Sequence, residues 1–428
     1  MQQYDISQLA SGERLISELV PSVRSVSLGF WIGAGSRDET DARAGVSHFI
    51  EHLLFKGTRS HSAQEIAEIF DGLGGELNAA TSRETTVVYA RVPDDRVERA
   101  LDVMVGMVYE PAFAEVDAER EVVLEELAMV EDNPQDLVHD IAAEAVFGGH
   151  ALGRPVLGRA EVISSVTRRS LASYHRSVYS GANIVVAAAG NIEHERLSEL
   201  LAERVPRTAP AARRPRKPLG RTPVPGLRFQ RKATEQYHVC LGALGISRRD
   251  ERRFAASLLD AILGGSASSR LFQEIREKRG MAYAVYSFAS QYSDSGQIGL
   301  YLGTREENLV PCLEIAAREL ADIAGGNVRA GELERAQENL KGRMLLSMES
   351  TSNRMSRLGK SLLTGTELLQ LDELIERIDA VTADDVAALA ADLLRPEGLS
   401  AAGIGPSERR FRAAVERVNP ALLARAAA

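Results

Sequence analysis

Short apolar runs of strand length alternate along this chain with longer stretches whose apolar residues recur every three or four positions. Val26–Ile32 (VSLGFWI), Gly75–Ser82, Thr86–Val92 and Asn183–Ala189 carry the period and bounding glycines, aspartates and prolines of strands. The series then starts again: Tyr237–Leu244 (YHVCLGAL), Ala282–Ser290, Gly296–Gly303 and Gly398–Ile404. The first strand of each series runs into a similar stretch, Gly35-Ser36-Arg37-Asp38-Glu39 in one and Gly245 to Glu251 in the other. Later helical stretches carry matching pairs, Glu119-Arg120 and Glu334-Arg335. An internal repeat of this length predicts two homologous units. Strands joined through hairpins and mixed with helices predict an α+β fold, each half a mostly antiparallel or mixed sheet with helices packed on one face. Between the halves, Val205 to Gly226 is crowded with prolines that can neither donate to a sheet nor continue a helix. The expected division is residues 1–205, a linker at 206–225, and 226–428. The linker's basic run around Pro215-Arg216-Lys217-Pro218 reads as a solvated tether rather than a nucleic-acid patch.

Composition narrows the function classes. With 428 residues, 44% apolar and 26% charged, the chain can bury more than one core and is neither disordered nor a fibrous rod. It has no apolar run of the ~18 residues that a membrane span needs. Acidic residues outnumber basic ones by 60 to 51, a net charge of −9 that disfavours nucleic acid or an anionic membrane as the main partner. One tryptophan and 5% aromatic residues argue against base-stacking surfaces. Two cysteines, Cys240 and Cys312, form no disulfide framework, and Met1 to Asp5 lacks the features of a secretory or mitochondrial presequence. Both point to a bacterial cytoplasmic setting.

The candidate chemistry lies in His48-Phe49-Ile50-Glu51-His52. Phe49, Ile50, Leu53 and Leu54 supply helical burial, and one turn of helix puts both imidazoles on one face, within reach of a single ion. Glu51 stands beside them, angled to hold a water without being a ligand. Imidazole suits Zn²⁺, and the H-x-x-E-H order is the inverzincin signature. A catalytic zinc needs a third protein ligand and leaves a fourth position open. The best source is the acidic helix Glu119 to Leu127, where Glu119 and Glu126 are two turns apart on one face. On that reading Val122 and Val123 flank the face on the buried side, and Glu125 points to solvent.

These motifs resemble the M16 (pitrilysin/insulinase) metallopeptidases, over most of the chain. The similar segments are His48 to Thr58 (HFIEHLLFKGT), Gly75-Glu76-Leu77-Asn78-Ala79 with Thr81-Ser82, the E-R-x-x-x-x-x-E helix from Glu119 to Glu126, and Ser268-Ser269-Arg270-Leu271-Phe272. Length and repeat resemble the branch containing the mitochondrial processing peptidase β subunit. The resemblance implies a metallohydrolase fold of that type, one Zn²⁺ held by His48, His52 and Glu126, Glu51 as catalytic glutamate, and Glu119 as the acid behind the ligands. It implies hydrolysis of unfolded peptides or N-terminal extensions in a closed chamber, by a homodimer or a pair with a ligandless paralogue. A non-catalytic structural or substrate-recognition subunit is the rival reading, and a zinc hydrolase of non-peptide substrates a more distant one.

The second half carries no equivalent ligands. Laying Glu39 on Glu251 sets Asp260 opposite His48 and Gly264 opposite His52; laying Glu119 on Glu334 sets Lys341 opposite Glu126. Arg276 and Tyr283 have the spacing of an arginine–tyrosine pair that, in the resembled family, binds peptide and steadies the oxyanion. Asn78-Ala79 reads as a short strand to which a substrate backbone can add, or equally as a paired interior strand. His61, His139, His150, His175, His194 and His238 lack partners at ligand spacing and read as surface or capping residues, with His238 partly buried in its strand.

Overall fold

The computed structural model describes residues 4–206, 215–220 and 222–426; residues 207–214 and 221 of the expected linker lie outside them. In chain order the first half runs β1 (Asp5–Gln8), β2 (Arg14–Leu19), β3 (Ser25–Ile32), α1 (Val46–Leu54), α2 (Ala63–Leu73), β4 (Glu76–Thr81), β5 (Thr86–Pro93), α3 (Val97–Tyr109), α4 (Val116–Asp132), α5 (Pro134–Phe147), α6 (Ala160–Ser165), α7 (Arg168–Val178), β6 (Ile184–Gly190) and α8 (His194–Arg204). The second half runs β7 (Leu227–Arg231), β8 (Tyr237–Gly245), α9 (Arg253–Leu263), β9 (Ala282–Gln291), β10 (Gly296–Thr304), α10 (Glu306–Ala324), α11 (Glu332–Ser347), α12 (Thr351–Thr364) and, near the end, β11 (Ser400–Gly405). Among the described residues, no helix is long and apolar enough to cross a membrane.

The repeat is visible in the strand order. One sheet is β1-β2-β6-β3-β5-β4, the other β7-β11-β8-β10-β9, and β2, β6, β3, β5, β4 correspond in sequence to β7, β11, β8, β10, β9. β2 with β6 and β7 with β11 are the parallel pairs; every other pairing is antiparallel. The fold is therefore α+β, as the pattern predicts. β1, β2 and β7 are additions to that pattern. β7 (LRFQR) is short and mostly polar, which suits an edge strand and hides its period.

The two compact units do not follow chain order. Residues 1–128, 155–216 and 345–370 form one; residues 129–154, 217–344 and 371–428 form the other. Within the first, Val26, Leu28, Phe30 and Ile32 of β3 face a core shared with α1 and α3. The opposite face, where Trp31 points, is covered by α12 through Met355, Leu358 and Leu363. The approach is close: a Cβ on Gly359 would lie 2.2 Å from the Trp31 indole nitrogen. In the second unit α5 takes the matching position, with Val138 and Ala142 packed on Cys240, Tyr301, Ala402 and Ile404. Each sheet is thus roofed on one side by a helix from the other half of the sequence.

Candidate metal centre

α1 starts where the chain makes a sharp entry. Gly45 has φ 94°, and a Cβ there would lie 2.4 Å from the Leu157 carbonyl oxygen, so glycine is required. The buried Glu39 carboxylate then accepts from the Gly45 and Ser47 amides at 2.8 and 2.6 Å. A carboxylate in this position satisfies amides that have no partner within the helix and lies favourably on its dipole. Val46, Phe49, Ile50, Leu53 and Leu54 are fully buried; each is worth about 1.5–3 kcal/mol, which fixes the helix's rotation. His48, Glu51 and His52 are left on the remaining face.

α4 brings its acids to that face. His52 Nε2 lies 3.2 Å from His48 Nε2 and 3.2 Å from Glu126 Oε2, and His48 Nε2 lies 3.5 Å from the same oxygen. Among the described residues these three form the one group of histidine, cysteine or carboxylate side chains disposed to hold a metal ion. A tetrahedral zinc ion with ligands at about 2.0–2.1 Å spaces them about 3.3–3.4 Å apart, so the triangle has the edge the ion requires. Glu119 accepts from His52 Nδ1 at 2.9 Å, which leaves Nε2 as the lone-pair nitrogen facing the triangle. Its other oxygen meets Lys56 Nζ at 2.7 Å. Arg120 anchors α4 by donating to the Ile163 and Val166 carbonyls and lying 5.7 Å over the Phe49 ring. Val123 is buried as expected, but Val122 is 49% exposed: the burying arc of α4 is narrower than an acid-rich sequence suggests.

Electrostatics agree with that chemistry. Burial, then the neighbouring His52, pulls His48 down to about 4, so it is neutral as a ligand must be. Burial pushes the Glu51 carboxyl above its ordinary range, opposed in part by the polar Thr81 and by His52 nearby. His48 Nδ1 and Glu51 Oε2 are buried with no hydrogen-bond partner among the described residues. A buried polar atom without a partner costs about 1–3 kcal/mol, and at Glu51 Oε2 that cost leaves a carboxylate oxygen ready to accept a proton. The residues fit a zinc ion.

β4 lies at the edge of its sheet, paired on one side with β5, so of the two readings of Asn78-Ala79 the edge strand is the one found. Asn78 is exposed, while Ala79 is buried against the helices. A groove of about 570 Å³ runs alongside, lined by Phe55, Ile66, Phe70, Leu77, Asn78 and Tyr89. Thr81, Lys56 and Phe55 were not singled out by role in the sequence; all three lie in the motifs that carry the resemblance, which was the available signal. Arg276 and Tyr283 belong to the other unit and meet each other there. The guanidinium sits 4.7 Å from the Phe272 ring and 4.5 Å from that of Tyr283, and donates to the Tyr283 carbonyl at 3.2 Å. Phe272–Glu277 is a π-helix, wider than an α-helix.

Among the other histidines, His150 caps a turn by accepting from the Leu152 amide, and His238 is half-buried against the Tyr301 hydroxyl at 2.9 Å. His175 departs from expectation. It is buried, stacked on Tyr179 at 4.2 Å and bonded to the Val108 carbonyl at 2.9 Å, because α7 turns it inward beside Leu171 and Tyr174.

Comparison with known proteins identifies the family. Residues 14–160 match the family model described as insulinase (peptidase family M16), and residues 165–340 match the peptidase M16 inactive domain. An uncharacterized zinc protease of Streptomyces coelicolor is 43% identical over 410 residues, 92% of this chain and 88% of that protein. One of Bacillus subtilis is 40% identical over 403 residues, 93% and 97% of the two chains. Among solved structures, a peptidase M16 inactive domain from Pseudomonas fluorescens superposes with TM-score 0.88 at 23% identity, covering 95% and 99% of the two chains. A chain of complex III2 from Candida albicans superposes with TM-score 0.84 at 19% identity, covering 97% and 99%. The last two show the fold alone. With its two domain models and its relatives named zinc proteases, this chain belongs to the insulinase peptidase family, M16.

Proposed function

We propose that this protein is a zinc-dependent endopeptidase that cuts extended peptides at the centre formed by His48, His52, Glu126 and Glu51. The observation that carries the reading is the triangle of two imidazole nitrogens and one carboxylate oxygen at 3.2–3.5 Å, with an unsatisfied buried carboxylate one residue away. A divalent ion held by the three ligands would supply positive charge that polarises a peptide carbonyl and makes water acidic near neutral pH.

The chain's own residues do the rest. Glu51, made more basic by burial, takes the proton from the attacking water and returns it to the departing amine. Its Oε2 is buried without a protein partner among the described residues, free to carry the proton in transit. Glu119 fixes the tautomer and tilt of His52, and Lys56 keeps Glu119 compensated. The substrate backbone adds to edge strand β4 at Asn78 and Ala79, with one side chain in the apolar groove beside Phe55 and Phe70. Arg276 and Tyr283, a guanidinium and an exposed phenol, are assigned to peptide binding and to the developing oxyanion.

The fold is also that of a chain in complex III2, so fold alone does not make an enzyme. The intact ligand set favours the peptidase over a non-catalytic subunit. The test is Glu51→Gln, followed by mass spectrometry of a mixed peptide pool. The variant should keep one zinc and lose cleavage by about 10²–10⁴-fold, and chelator should silence the wild type. Cleavage by the variant at the wild-type rate overturns the assignment.

A further inference from the structure

The linker contains an arginine that is not a solvated tether residue. Arg216 is 11% exposed, and its guanidinium takes the Asp38 carboxylate two-pronged, Nε to Oδ1 at 2.8 Å and Nη2 to Oδ2 at 2.9 Å. Nη2 also donates to the Gly33 carbonyl at 3.1 Å and to the Glu84 carbonyl, and Nη1 lies 3.7 Å from the Glu84 carboxylate. Two-pronged arginine–carboxylate pairs are among the strongest and most direction-specific polar contacts in proteins. Arg37 meets the same Glu84 oxygen at 2.8 Å, with both groups 2% exposed.

What Arg216 grips is the junction of two loops. One is the turn from Gly33 to Glu39, in which Asp38 also accepts from the Gly35 amide at 3.0 Å. The other is the tip of the β4–β5 hairpin, to which the turn is sewn by Ser36 N to Ser82 O at 3.2 Å and Arg37 N to Arg83 O at 2.8 Å. A Cβ on Gly35 would lie 2.2 Å from the Ser82 oxygen, so the two backbones touch. Each loop leads towards the reacting groups. Glu39, next to Asp38, caps the helix that carries His48, Glu51 and His52. β4, which ends at the hairpin tip with Thr81, packs against that same helix.

The geometry points to Arg216 as a positioning residue: from the linker it clamps the cap of the metal-binding helix to the hairpin whose first strand packs against that helix. This rests on the peptidase reading of the centre. A clamp that sets the angle between Glu51 and its neighbours acts on turnover, because small misplacements of a proton acceptor are costly in rate.

The experiment compares wild type, Arg216→Ala, Arg216→Lys, Asp38→Asn and the Arg216→Ala/Asp38→Asn double variant. The readouts are kcat and KM on a peptide substrate at 25 °C, zinc content, and hydrogen exchange of the Gly45, Ser47 and Thr81 amides. The expected result is a fall in kcat of about tenfold for Arg216→Ala, with KM within twofold, one zinc per chain and faster exchange at those amides. Arg216→Lys should recover part of the rate, and the double variant should be no worse than the poorer single one. Wild-type kcat in a merely less stable Arg216→Ala, additive losses, or a fall in kcat that tracks zinc loss each overturn the proposal. If Arg216→Ala fails to fold, Asp38→Asn is read the same way. A wild-type protein that neither binds zinc nor cuts peptide sinks the peptidase reading instead, and the exchange measurement still decides whether the clamp exists.

Discussion

α1 and α9 hold the same place in the repeat, and what fills that place differs. α1 presents His48, Glu51 and His52; the matching residues near α9 are Asp260, Leu263 and Gly264. Asp260 accepts from the Ser287 hydroxyl at 2.6 Å, Leu263 is buried, and a Cβ on Gly264 would meet the Ser287 backbone nitrogen at 2.2 Å. Lys341, opposite Glu126, pairs with Asp379 and Glu338 at 2.7 Å each. In the second copy every one of these polar groups is satisfied by the protein and the space at the second histidine is closed by backbone. In the first copy His48 and Glu51 each leave a buried atom without a partner among the described residues. The second copy fills the position with internally satisfied groups, and the first leaves a His-His-Glu group that could hold a metal ion.

The largest effect that would break this contrast is in metal stoichiometry. His48→Ala should remove the zinc, weakening it by more than the ~100-fold that loss of a supporting residue can cost, whereas Asp260→Ala should leave one zinc per chain. Elemental analysis after dialysis decides it, and zinc that leaves with Asp260 but not with His48 reverses the assignment. Next comes the closed position itself. Gly264→Ala drives a Cβ into backbone and should destabilise the protein by about 1–3 kcal/mol, read from the urea midpoint, without altering the zinc. His52→Gly at the equivalent position should do the reverse, losing zinc with a smaller change in the stability of the metal-free protein.

Much of this contrast was legible in the sequence, for definable reasons. The strands with strong apolar period, β3 to β6 and β8 to β11, are found within a residue or two of where the pattern places them. The candidate metal face was legible because helical spacing sets His48 beside His52 and Glu119 beside Glu126, and the resemblance pointed to Glu126 as the third member of the group. Three things were not legible. Period cannot say which sheet a helix roofs, so the positions of α5 and α12 are invisible in the chain order. A buried His175 and a surface histidine look alike when one face of α7 is as polar as Arg168-Arg169-Ser170 makes it. A proline-flanked arginine such as Arg216 reads as solvated until the carboxylates it meets, more than a hundred residues away, are placed around it.

The two copies should also differ, by a smaller amount, in their response to acid. His175 in the first unit is held by burial at about 4, against about 6.5 in an unfolded chain. The unfolded state therefore binds the proton that the folded state refuses, and the contribution is complete above pH 6.5 and lost as the pH falls towards 4. The whole window is worth about 3 kcal/mol, but between pH 7 and pH 6 only about 0.7 kcal/mol is lost. His238 in the second unit is lowered by burial too, yet it is only half-buried, so less of the penalty on its charged form applies. Urea titrations at pH 7 and pH 6 should therefore show that His175→Gln flattens the pH dependence by about 0.7 kcal/mol, and His238→Gln by less. Taking each variant against wild type cancels every other titrating group, including the metal-site histidines. A larger flattening in His238→Gln would place the acid-sensitive burial in the second unit and leave His175 paired differently from its bond to Val108.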